Sequence, residues 1–131
     1  MPPVIAILLA AALAAQALPA PAATEGWEVL LTDQSGETRI DRATVQRDGD
    51  VIRVTTYTAL AGRRPDGYVA AAARVAIDCA RQIYAFERIA IYNDAGSLGE
   101  RTPDGGPRYA PVSSQEIPRR LYALLCPGAV Q

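Results

Sequence analysis

The sequence predicts an α+β fold: a single antiparallel β-sheet of about six strands, with one C-terminal α-helix packed on it and linked to it by a disulfide. Three observations predict this. Apolar and polar residues alternate with period two between residues 27 and 101, interrupted by clusters of Gly, Asp and Asn. The period changes to that of a helix only after residue 112. The two cysteines, Cys79 and Cys126, follow the longest strand signal and the helix signal respectively.

Trp27-Glu28-Val29-Leu30-Leu31 reads as the first strand and Thr32-Asp33-Gln34-Ser35-Gly36 as the turn after it. Residues 38–41 form a second strand. A hairpin signal follows, with residues 44–47 and 51–58 as arms around Asp48-Gly49-Asp50, where Gly accepts positive φ without steric cost. In the second arm Ile52, Val54 and Thr56 share one face, and Arg53, Thr55 and Tyr57 share the other. Gly62-Arg63-Arg64-Pro65-Asp66-Gly67 is a loop. Residues 68–79 form a long strand that points Ala71, Ala73, Val75, Ile77 and Cys79 to one side, Arg74 and Asp78 to the other. The next strand, residues 82–92, is apolar on both faces (Ile83, Ile89 and Ile91 against Tyr84, Phe86 and Tyr92), so its inward side stays open. Residues 98–101 return as a short edge strand, and residues 102–112 continue as a Pro/Gly loop and an extended piece.

Ile117, Leu121, Leu124 and Leu125 fall at i, i+4, i+7 and i+8, one face of a helix. Ser113 or Ser114 is placed to cap it, Ser113-x-x-Glu116 fits a capping box, and Pro118 is tolerated only in the first turn. Pro127 disfavours helical geometry at Cys126. A helix ending near Leu125 therefore frees Cys126 to turn back toward the sheet and Cys79.

The chain has 131 residues and a formal net charge of −1, enough for one domain and no electrostatic reason to expect nucleic acid. It contains no histidine, which excludes Ser-His-Asp and Cys-His nucleophile systems and a histidine acid/base. Residues 1–24 carry no charge. Residues 4–18 are apolar except for Gln16 and would span roughly 22 Å as a helix, short of a bilayer core. Ala20-x-Ala22 has the form of a cleavage site, so residues 1–23 read as a secretory signal peptide cut after Ala22 or Ala23. No cysteine follows the apolar run, so no lipid anchor is expected. An even cysteine count in a small exported chain points to a Cys79–Cys126 disulfide, and the absence of a C-x-x-C spacing speaks against a redox or metal pair.

The order of these pieces resembles the surface-adhesin protein E-like family. The resemblance is carried by the initial Trp27 strand and by Ile40-Asp41 leading to Thr44-Val45-x-Arg47-x-Gly49-x-Val51. It extends through Ile77-Asp78-Cys79, residues 81–84, Pro111-x-x-Ser114 and Leu125-Cys126. It covers residues 27–126, within a domain running over 24–131. It implies an α+β domain with one disulfide, and adhesion as a candidate function, since some members are outer-surface lipoproteins that bind host proteins. This chain departs from those members in having neither a lipobox nor lysine.

Candidate binding residues are Arg63 and Arg64 beside Tyr68, a local patch suited to carboxylates and aromatic rings. A second set is Arg53 and Tyr57 on the outward face, joined by Tyr84 or Tyr92 as an aromatic-basic platform. Asp104-Gly105-Gly106 follows no βαβ unit and is no phosphate loop. Asp41, Asp48 and Asp50 lack calcium-loop spacing and serve turns. The expectation is an exported protein, periplasmic or secreted, that binds a protein partner without catalysis, cofactor or metal. The alternative is a periplasmic structural or accessory domain acting as a homodimer or as a subunit of an envelope complex.

Overall fold

A computed structural model describes residues 18–19, 21–62, 64 and 66–128. Most of the uncharged N-terminal run, and Arg63, lie outside the described residues. The chain forms β1 (Glu28–Asp33), β2 (Gly36–Ile40), β3 (Gln46–Asp48), β4 (Val51–Leu60), β5 (Ala70–Asp78), β6 (Ile83–Asn93), β7 (Gly96–Arg101), β8 (Ala110–Pro111) and helix α1 (Glu116–Leu125). All strand pairs are antiparallel. The main path runs β1-β2-β4-β5-β6-β7, with short β3 beside β4 and short β8 beside β6. The α+β expectation holds, and the strand count is eight where about six were expected. Residues 110–111 were expected as an extended loop. They pair with Tyr84 and Ile83 because the edge of β6 is free there, beyond the end of β7.

Local chemistry explains the joints. Asp48 pairs with Val51 across a two-residue turn in which Gly49 takes φ +61°. Residues 42–44 form a short 3₁₀ turn instead of the start of β3. The Asp41 carboxylate accepts from the Ala43 N–H at 2.9 Å, and Thr44 Oγ1 donates to the Asp41 carbonyl at 2.6 Å. At Gly36, φ is +145°, and a Cβ there would stand 2.0 Å from the Ala59 carbonyl oxygen. Only glycine lets β2 start this close to β4.

One sheet face carries the core. Ile40, Ile52, Val54, Val75 and Ile77 are almost fully buried against Leu121 and Leu125 of α1, with Tyr84 packed among them. The faces of β4 and β5 are those the alternation predicts. The undecided strand, β6, is explained by a bulge: Arg74 pairs with Arg88 and Val75 with Phe86, which leaves Glu87 without a partner opposite. One extra residue shifts the parity of the strand, so Tyr84, Phe86 and Ile89 pack with the core while Tyr92 packs on the other side.

Pro118 sits in the first turn of α1, as its missing N–H requires. The expected serine cap is not formed: Gln115 is the residue preceding the helix, and its side chain makes no capping bond. Ser113 and Ser114 are consumed in a preceding 3₁₀ turn, where Ser114 Oγ donates to the Pro111 carbonyl at 2.7 Å. At the other end Cys126 is extended (φ −82°, ψ 128°) and forms the disulfide with Cys79, Cα to Cα 5.6 Å. The Arg47 guanidinium donates to the Leu125 carbonyl at 3.3 Å, placing a positive charge at the helix C-terminus. No helix among the described residues is long and apolar enough to cross a membrane.

Candidate functional site

A groove of about 530 Å³ runs between β1 and α1. Glu28, Val29 and Leu30 line it from the strand; Glu116, Arg119, Arg120, Tyr122, Ala123 and Leu124 line it from the helix. Three consecutive strand residues cannot all face one way in a regular strand. Nor do they here: Glu28 pairs with the core residue Ile40 and Leu30 packs on that core, whereas Val29 pairs with Arg39, on the face of Tyr57, and borders the groove at the strand edge. A bulge follows, with Leu31 opposite Thr38 and Leu30 extra. Leu30 and Leu124 also pack against the core, so the groove floor is continuous with the interior. Val29 is 50% exposed beside the groove.

The charges of the groove are paired. Arg42 grips Glu28 through Nε at 2.8 Å and Nη2 at 3.2 Å, which holds the Glu28 carboxyl below its ordinary range. Glu116 takes Arg120 Nε at 2.9 Å and pairs also with Arg119. These are exposed pairs of small individual energy, and their effect is to leave a near-neutral apolar slot with polar rims. Among the described residues β1 and β7 end the sheet path, so each presents one side without a strand neighbour there. They differ in quality as templates. β7 contains Gly96 and Gly99, the latter at φ +107°, together with Glu100 and Arg101. Glycine, charge and irregular backbone are the features that blunt an edge. β1 offers Val29 and the groove beside it.

The residues singled out in the sequence are dispersed. Arg53 lies on the face away from α1 and gives Nε to Glu87 at 2.9 Å, which raises its pKa. Tyr57 shares that face but is only 7% exposed, covered by Tyr92 at a ring separation of 6.1 Å and by Trp27 and Leu18. Burial raises the pKa of both phenols. Tyr84 lies on the opposite face, within the core. The expected platform of Arg53 and Tyr57 with Tyr84 is therefore not assembled as a flat exposed surface. Arg64 is exposed and paired with Asp66 at 3.0 Å, and the Tyr68 N–H donates to the same carboxylate at 3.0 Å; the structure makes this a self-paired loop. Arg74 reaches across β4 with Nη1, donating to the Thr44 carbonyl at 2.8 Å and to Thr55 Oγ1 at 3.1 Å.

Sequence reading missed the groove. The alternation of β1 gave its only signal, and the bulge at Leu30 depends on pairing with β2. Among the described residues no three His, Cys, Asp or Glu side chains come together to hold a metal ion. Comparison with protein-family models, with curated proteins and with solved structures gives no match.

Proposed function

We propose that this chain is an exported, non-enzymatic protein-binding domain. It takes an extended segment of a partner protein along the edge of β1, with partner side chains entering the groove beside α1. The observation that carries the reading is the contiguity of an unpaired strand edge, a half-exposed Val29 and an apolar groove. Strand addition draws affinity from main-chain hydrogen bonds and selectivity from an adjoining pocket, and both parts are present here. The disulfide supports an oxidising compartment, periplasmic or secreted, and the sequence resemblance to surface-adhesin protein E-like domains supports an adhesin-like role in the bacterial envelope. The paired carboxylates of the groove support binding over proton-transfer chemistry, because each already serves an arginine.

The same edge supports a second reading, the homodimer. Two β1 strands from two copies would pair edge to edge and bury both Val29 side chains. Capture of envelope proteins by the wild-type chain and by Val29→Lys separates these. Loss of a captured protein with unchanged molecular mass supports partner binding. A mass that halves on substitution supports the dimer. Capture and mass both unaffected would contradict the β1 site.

A further inference from the structure

A second apolar site lies on the face away from α1. Its floor is Ala70, Ala72 and Ala90, each about 1% exposed, and Tyr57 and Tyr92 form its wall. Alanines on a sheet face leave room for another backbone to approach closely. That backbone is the chain's own. Leu18 packs against this cluster, and its N–H donates to Glu100 Oε2 of β7 at 3.4 Å. Tyr92 donates its phenolic O–H to the Pro19 carbonyl. Further along, the Thr24 carbonyl accepts from Arg39 Nη1 of β2 at 3.3 Å, and Trp27 closes the near side. The segment thus crosses from β7 to β2 over the strands.

Leu18 and Pro19 stand ahead of the expected cleavage site at Ala22 or Ala23, whereas Thr24 and Trp27 follow it. We propose that cleavage there opens the Tyr57–Tyr92 cleft as a binding site for an extended apolar segment carrying a Leu-Pro step, the chemistry that Leu18 and Pro19 present in cis. The reason is chemical complementarity. Once Pro19 leaves, the Tyr92 phenol has lost a carbonyl acceptor, and Ala70, Ala72 and Ala90 lose an apolar cover. An extended segment with a leucine side chain and a following proline carbonyl restores both. The proposal is independent of the β1 groove, which is on the other side of the sheet, so the failure of one leaves the other standing.

The test uses the chain as purified from cells that export it, its N-terminus read by mass spectrometry. The probe is a synthetic peptide of residues 15–22, Ala-Gln-Ala-Leu-Pro-Ala-Pro-Ala. Trp27 is the only tryptophan and packs in the same cluster, so its emission reports occupancy. The cut form is expected to bind the peptide saturably. The peptide with Leu18→Asp should bind at least about tenfold more weakly, and the Tyr92→Phe protein should bind the original peptide about tenfold more weakly while keeping its circular dichroism. The uncut form should resist the peptide until Leu18→Asp is introduced into the chain itself. No saturable change in Trp27 emission up to about 1 mM peptide, or equal binding of the Asp peptide, would overturn the proposal.

Discussion

Glu87, the one residue of β6 that bulges out of register with β5, receives Arg53 Nε at 2.9 Å from β4, a strand away. The bulge and the ion pair belong together. The extra residue aims its carboxylate over β5 toward β4, and the same parity shift sends Tyr84 into the core and Tyr92 to the opposite face. Arg53→Ala is expected to cost less than about 1 kcal/mol, because both partners remain partly exposed. Deleting Glu87 should remove the bulge and the ion pair but keep the register, because Arg74–Arg88 and Val75–Phe86 become consecutive pairs and Tyr84, Phe86 and Ile89 keep their face. Denaturant titration of the two variants checks this; loss of the cooperative unfolding transition on deleting Glu87 would contradict the role given to the bulge.

The disulfide joins residues 47 positions apart. Closing a loop of that length is worth ~4 kcal/mol on the chain-entropy model, so the double variant Cys79→Ala, Cys126→Ala should lose a few kcal/mol. Peptide mapping without reductant should recover the linked pair. Two alkylated thiols in exported material would contradict it.

Gly36→Ala is expected to destabilise by about 3 kcal/mol, combining overpacking with left-handed backbone strain. The added Cβ meets the Ala59 backbone oxygen, which cannot move without breaking the β2–β4 ladder. Gly49→Ala, whose Cβ would meet nothing within 4 Å, should cost only the conformational part. Thermal melts of the two variants rank them.

Tyr57 and Tyr92 both have pKa values raised above 10.0 by burial. The fold favours their neutral forms, so their contribution is fully present below pH 10. It is lost as pH rises from that ordinary value through the higher folded values. Tyrosinate absorbance should show late ionisation that coincides with unfolding, and Tyr92→Phe should reduce it. A late phase unchanged by both Tyr57→Phe and Tyr92→Phe would contradict the burial.

The strand faces of β4 and β5, the position of Pro118 and the turn-back at Cys126 were legible in the sequence because each follows from local alternation or from proline sterics. Three features were not. The inward side of β6 depends on an unpaired Glu87, which only the partner strand defines. The serine cap failed because Ser113 and Ser114 lie in the 3₁₀ turn, so Gln115 and not a serine immediately precedes the helix. The cover over Tyr57 comes from Leu18, Trp27 and Tyr92, brought there by topology and not by periodicity. The groove has the same origin, because β1 and α1 meet only after the intervening sheet has formed.

Val29→Lys places a charge on the β1 edge at a half-exposed position, so folding stability should change by no more than about 0.5 kcal/mol. Partner capture should fall sharply, because a lysine on an edge opposes strand addition. Equal losses of stability and capture would mean that Val29 supports only the fold.

The most direct measurement is site-specific photo-crosslinking in the cells that export the chain, with the reactive side chain placed at Val29 and, as a control, at the exposed Asp50 of the β3–β4 turn. The account predicts a discrete protein adduct from position 29 and none from position 50. No adduct at position 29, or the same adducts from both positions, would contradict binding at the β1 groove.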